Sequence, residues 1–157
     1  MKDIHLTVHW GEELGRYVFE EDPDLAIADI HEDGRYLYPG SGTANEIGKG
    51  NARGTKLNIP LPPDSNDSDF FRAWPRVETL INNLNPEFII LQAGVGTMDS
   101  DSLTHLRFSA AAHIYAAKRL RELANTYASG RLLVYGGGGY NLDNVATGWS
   151  GICKELM

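Results

Sequence analysis

The chain has 157 residues, 42% of them hydrophobic, and a formal net charge of −7. That length suits one domain with one core. The acidic balance, with no cluster of Lys or Arg, excludes a nucleic-acid surface, which needs a basic stripe against phosphates. Cys153 is the only cysteine, which excludes an intramolecular disulfide and a cysteine-based zinc cluster and makes a reducing cytoplasm the expected compartment. No apolar run approaches the ~18 residues that cross a bilayer, and MKDIHLTVHW is polar too early for a signal peptide, so no membrane partner is expected.

In chain order, strand character appears at Ile4 to His9, Leu25 to Ile30, Lys56 to Pro60, Glu87 to Gln92 and Arg131 to Tyr135. LAIADI, FIILQ and LLVY are nearly continuous apolar runs, as in strands covered on both faces. Helical patterns lie between them: a short one at Glu12 to Glu21, one at Asp69 to Asn83, and a long one at Ser109 to Tyr127. In the long one Ser109 can cap, and Ala112, Tyr115, Ala116, Leu120, Leu123 and Ala124 form one stripe opposite Lys118, Arg119, Arg121 and Glu122. A last helix should begin near Asp143 and run to the carboxyl terminus. Leu61 to Ser68 reads as a surface loop, and the glycosylation pattern Asn66-Asp67-Ser68 within it as chance. Strands alternating with helices predict an α/β fold, a three-layer arrangement with a mostly parallel sheet flanked by helices. Ligands gather at the carboxyl ends of such strands, so the informative loops are Ile30 to Gly54, Ala93 to Arg107 and Gly136 to Asn144.

GGGGYN, Gly136 to Asn141, follows the last strand directly. Successive glycines allow close approach of a ligand or another chain, and the run could present the Tyr140 phenol to a developing oxyanion or be a tight turn. As a phosphate cradle it lacks the GxGxxG spacing. HEDGRYLYPGSG places Tyr36 and Tyr38 before Pro39-Gly40, either as a pocket wall or as a turn pinned by buried aromatics. His5, Thr7 and His9 share one face of the first strand by its two-residue period. Two histidines there suggest a metal, but zinc needs a third protein ligand that no neighbour supplies. Asp99 and Asp101, with more acid from Asp29 to Asp33, could serve acid/base chemistry or hold a cation, or be ordinary loop and cap residues. His105 and His113 read as structural.

Taken together, VHWGEELGRYVFEEDP, DIHEDGRYLYPGSG, KLNIPLPP, PEFIILQAG, DSLTHLRFS and GGGGYN resemble the carboxyl-terminal half of the histone deacetylase superfamily, closest to its bacterial acetoin-utilisation and acetylpolyamine amidohydrolase branch. The resemblance implies an arginase/deacetylase-like fold and hydrolysis of an acetyl-lysine or acetylpolyamine amide. In that chemistry a zinc held by two aspartates and a histidine activates water, paired histidines move protons and a tyrosine stabilises the oxyanion. On this reading Tyr140 is the catalytic tyrosine, Tyr38 lines the acyl channel, and Gly138 and Gly139 belong to the substrate pocket.

The departures concern the metal. His9 matches the histidine ligand, but Thr7 and Gly96 stand where the family has its two ligand aspartates. His5 replaces an aspartate linked to a structural monovalent cation. Asp99 or Asp101 could replace the ligand lost at Gly96, although Asp101 has its own match in the family's downstream loop. The paired histidines and several strands of the family have no counterpart in these 157 residues. The expectation is therefore a deacetylase-like protein that holds no zinc tightly, is inactive alone and serves as a binding or assembly module. A homodimer or a complementing chain would cover its open sheet, and its pocket would accept a small acetylated amine or acetyl-lysine. The alternative is a zinc-dependent amidohydrolase whose site is completed by a partner chain or by rearranged ligands. A third reading is a structural assembly unit with no ligand.

Overall fold

The computed structural model describes residues 3–7, through their backbone, and residues 18–157. Five parallel strands form one sheet: β1 (Asp3–Thr7), β2 (Leu25–Glu32), β3 (Lys56–Leu61), β4 (Phe88–Ala93) and β5 (Leu132–Gly136). Their order is β3-β2-β1-β4-β5, with every neighbouring pair parallel. Among the described residues three long helices accompany them, α1 (Asp67–Leu84), α2 (Ala110–Tyr127) and α3 (Leu142–Leu156), with one 3-10 turn at Gly50–Ala52. The strands and long helices lie within about two residues of their sequence-based bounds, whereas the short helix expected at Glu12 to Glu21 falls largely outside the described residues.

Strand alternation divides the sheet into two unlike faces. One carries Ala26, Ala28, Ile30, Ile59, Ile89, Leu91 and Ala93 and packs with Phe70, Trp74, Val77 and Ile81 of α1, Ala116, Leu120 and Leu123 of α2, and Ile152 of α3 in a single buried cluster. Burial of each large member stabilises the fold by about 1.5–3 kcal/mol. The other face is mixed, with Ile27, Ile90 and Leu133 beside polar residues. Register places Asn58, Asp29, Thr7, Gln92 and Tyr135 in one row across all five strands. Asp29, Asn58 and Gln92 of that row are buried.

The helices begin where the sequence supplies caps. Asn66 accepts from Ser68 N while the Asp69 side chain accepts from Asn66 N, a reciprocal capping box that starts α1 two residues ahead of the apolar pattern. Ser109 caps α2 and Asn141 caps α3. Asp67 also accepts from Ser109 N and Oγ, at 2.7 and 2.6 Å, tying the start of α1 to the start of α2. Asn66 and Asp67 are thus explained by helix starts.

Further along, Glu78 of α1 takes a two-pronged ion pair from Arg119 of α2, at 2.7 and 3.0 Å. The Arg119 hydrogen bond holds the Glu78 carboxyl below its ordinary value of 4.5, against the opposing effect of burial and with help from Trp74. The unfolded chain therefore takes up this proton at a higher pH than the folded one. The pair's contribution is complete above the ordinary range and is lost as pH falls through the lowered value. Glu78→Gln should flatten the stability–pH slope below about pH 4.5, as read by urea unfolding at several pH values. An unchanged slope would remove Glu78 as its source.

Candidate functional site

The carboxyl ends of β2, β4 and β5 open into three loops, and hydrogen bonds between named residues hold them together. After β4, Val95 N donates to Gly138 O of the glycine run at 2.7 Å. Asp101 then accepts from Tyr140 N at 2.8 Å through one carboxylate oxygen and from Leu103 N at 3.0 Å through the other. Asn141 and Asn144 donate their side-chain amides to Ser100 O and Asp99 O, at 3.2 and 2.9 Å. The loop after β4 and the glycine run are one fastened unit, with Asp101 setting the backbone of Tyr140. Tyr140 itself stays half exposed, at 50%.

The glycines of this unit are required at two places. Gly139 has φ +149, and an added Cβ would sit 2.6 Å from Val95 Cγ2 and 3.1 Å from Val145 Cγ2. At Gly137 a Cβ would approach Gly94 Cα to 3.0 Å and Gln92 Nε2 to 3.1 Å. The close approach expected of the run is therefore to its own chain. Gly139→Ala should cost about 1–3 kcal/mol through overpacking and shift the environment of Tyr140. A urea midpoint and the tyrosine emission spectrum measure both, and an alanine tolerated within 0.5 kcal/mol would show that Val95 yields freely (about the scatter of a neutral site).

Gly96 offers no side chain, and its carbonyl accepts from the Thr104 hydroxyl. The next residue, Thr97, is fully buried and hydrogen-bonded through Oγ1 to His113 Nε2 at 3.1 Å, which makes His113 a structural histidine. His105 is tied to β2: its backbone N and its Nδ1 both donate to the Glu32 carboxylate, at 2.7 and 2.8 Å. Glu32 is buried. The sequence reading placed it in a loop, because HEDG looks like a turn, whereas β2 continues through it. Nothing in the spacing pointed to a carboxylate that clamps a loop 73 residues away.

The loop after β2 is oriented outward. Tyr38 is 80% exposed and Tyr36 also lies in solvent with Arg35 against its ring, which overturns the reading of a turn pinned by buried aromatics. Tyr38 precedes a cis Pro39. Gly34 packs so closely on the returning chain that a Cβ would lie 2.7 Å from Gly40 C and Ser41 O. His31 is buried under this loop, with Nδ1 donating to Glu32 O at 2.9 Å.

Thr7 sits in the register row between Asp29 and Gln92, while His9, and with it the proposed sharing of a metal by His5 and His9, lies outside the described residues. Asp29, one of the acids noted from Asp29 to Asp33, is buried, and Gln92, a buried polar residue inside a run that reads as apolar, was not singled out by the sequence. Among the described residues, no three His, Cys, Asp or Glu side chains are grouped as metal ligands. A separate cavity of about 360 Å³ between β3 and α1 is lined by Ile47, Leu57, Arg76, Leu80 and Asn83. It lies toward the start of β3 and the end of α1, under the later part of the loop after β2.

Comparison with known proteins places this arrangement. A profile of the histone deacetylase domain matches residues 4–156. The chain is 34% identical to the chloroplastic histone deacetylase 14 of Arabidopsis thaliana, over 98% of this chain and 36% of that one. It is also 34% identical to the acetoin utilization protein AcuC of Bacillus subtilis, over 98% of this chain and 40% of the other. The crystal structure of a histone deacetylase homologue from Aquifex aeolicus superposes with a TM-score of 0.89 at 27% identity, covering 99% of this chain and 41% of that one. The chain thus spans about two fifths of the length of these relatives.

Proposed function

Because the chain belongs to the histone deacetylase family and has its fold, we propose that it retains the family's pocket loops as a binding or assembly module and does not hydrolyse acetyl amides by itself. The observation that carries this reading is that, among the described residues, no donor set is grouped. A catalytic zinc takes three protein ligands and leaves one position open. Here Gly96 has no side chain and its carbonyl is engaged by Thr104. Asp101, one of the two carboxylates that follow Gly96, has both oxygens on backbone N–H groups of its own loop and of Tyr140. Thr7 supplies a hydroxyl where a carboxylate is needed, and a neutral hydroxyl neither offsets the charge of zinc nor binds it as an anionic ligand does. The residues present do not fit the metal, so no hydrolytic step is derived through it.

Two exposed tyrosines support the binding part of this reading: Tyr140 beside a glycine run with no room for side chains at Gly137 and Gly139, and Tyr38 on the loop after β2. These groups suit a short acetylated amine: aromatic surfaces for a methylene chain and a phenol for an amide carbonyl. In a test with acetyl-lysine peptide or acetylputrescine and added zinc, acetate release should not exceed the protein-free rate. Zinc-dependent release that disappears in Tyr140→Phe would overturn the proposal. It would instead support a second reading, favoured by the anchored and exposed Tyr140, in which another chain completes an active amidohydrolase.

A further inference from the structure

The cavity between β3 and α1 has the make-up of a ligand site. Its volume of about 360 Å³ falls in the lower part of the range for small-molecule pockets, ~300–1,000 Å³. Ile47 from the loop after β2, Leu57 from β3 and Leu80 from α1 give it an apolar wall, and the fold buries each of the three only in part. Arg76, Leu80 and Asn83 recur at the spacing of one helical stripe, so a single side of α1 faces this space.

The charges around the cavity are of one sign. Two cations line it, Arg76 and Lys56, and among the described residues no carboxylate does. The Lys56 ammonium is already engaged, donating to Asp22 O, Leu25 O and Thr55 Oγ1. Thr79, also in the lining, donates its hydroxyl proton to Pro75 O at 2.8 Å. Arg76 is different. In this acidic chain Arg35, Arg72, Arg107, Arg119 and Arg121 each pair with a carboxylate, whereas Arg76 meets none among the described residues. Toward the start of α1, Asp69 is taken by Arg72 and by Asn66 N.

The apolar wall also has a direction. Arg76 and Asn83 stand at its two ends, about 10.5 Å apart along the helix axis. Asn83 lies in the last turn of α1, where the partial negative charge of the helix end disfavours an anion. The Arg76 guanidinium favours one, and its planar fork matches a carboxylate. We propose that this cavity binds an aliphatic monocarboxylate, with its head on Arg76 and its tail along Leu80, Leu57 and Ile47 toward Asn83. The span admits a tail of about six to eight carbons. Neither Tyr38 nor Tyr140 lines the cavity, so the site stands whether or not the function proposed above does.

Titrating the isotope-labelled full chain with octanoate to about 10 mM, well above a millimolar Kd, should move the amide signals of Ile47, Gly54, Leu57, Leu80 and Asn83 together. Hexanoate, two methylenes shorter, should bind roughly tenfold more weakly. Octanol, which keeps the chain and loses the charge, should lose about tenfold or more. Arg76→Gln, at an exposed position, should weaken octanoate by about tenfold or more and leave the urea midpoint where it was. The absence of saturable shifts at these amides overturns the proposal. So does octanol binding as tightly as octanoate, or octanoate binding that Arg76→Gln leaves unchanged, since either makes the cavity a nonspecific apolar surface.

Discussion

Phe70→Ala should destabilise the chain by about 3–5 kcal/mol, the range for removing a fully buried aromatic side chain. Phe70 is completely buried at the start of α1, with its ring 5.4 Å from Trp74, 5.5 Å from Phe71 and 5.5 Å from Phe108. Phe108 ends the loop that follows β4, and its N donates to Thr97 O at 3.1 Å. The aromatic cluster therefore joins the helical layer to the loop that carries Gly96 and Asp101, and the cavity left by alanine would loosen both. For a domain of this length each kcal/mol shifts the melting temperature by about 2–4 °C, so a fall of roughly 10 °C is expected in a thermal melt. A fall of only a few degrees would show that the cluster collapses to fill the space.

The second large effect is expected at Glu32. Its buried carboxylate accepts from His105 N and Nδ1 and so joins the end of β2 to the loop after β4. Hydrogen bonds to a charged group contribute about 1.5–3 kcal/mol each, and an orphaned partner adds its own desolvation cost. His105 is largely exposed, so water recovers part of the loss at its ring. Glu32→Ala should then cost about 2–3 kcal/mol and speed hydrogen exchange at the His105 amide, whereas Glu32→Gln, which keeps one acceptor oxygen, should cost less. Equal effects of alanine and glutamine would show that charge, not hydrogen bonding, is what holds the loop.

Phe70 and Glu32 illustrate what the sequence discloses and what it does not. The apolar period that buries Phe70, Trp74, Val77 and Ile81 is written along one segment, so α1 can be read from neighbours three and four residues apart. The strands are legible for the same reason. Glu32 answers to a residue 73 positions away, and no local pattern encodes that distance. Gln92 went unmarked because it interrupts an apolar run only once, and the row that joins it to Asp29, Asn58 and Tyr135 exists only when the strands are in register. Motifs were informative in a different way. GGGGYN and YPGSG carried the family and the place of the loops. The glycines proved to be packing requirements of the chain itself, and Tyr36 and Tyr38 turned outward. The departures at Thr7 and Gly96 were visible as residue types. That Asp101 is already engaged with Tyr140 N and Leu103 N could be seen only in three dimensions.

The loss of the zinc donor set is the claim on which the functional reading depends, and metal content tests it without reference to any substrate. The full chain would be purified without chelator, incubated with zinc, freed of loose metal by gel filtration and measured by elemental analysis. The account predicts far less than one zinc per chain, with Thr7→Asp and Gly96→Asp together raising it toward one by restoring two carboxylate ligands. One tightly held zinc per unaltered chain would contradict it.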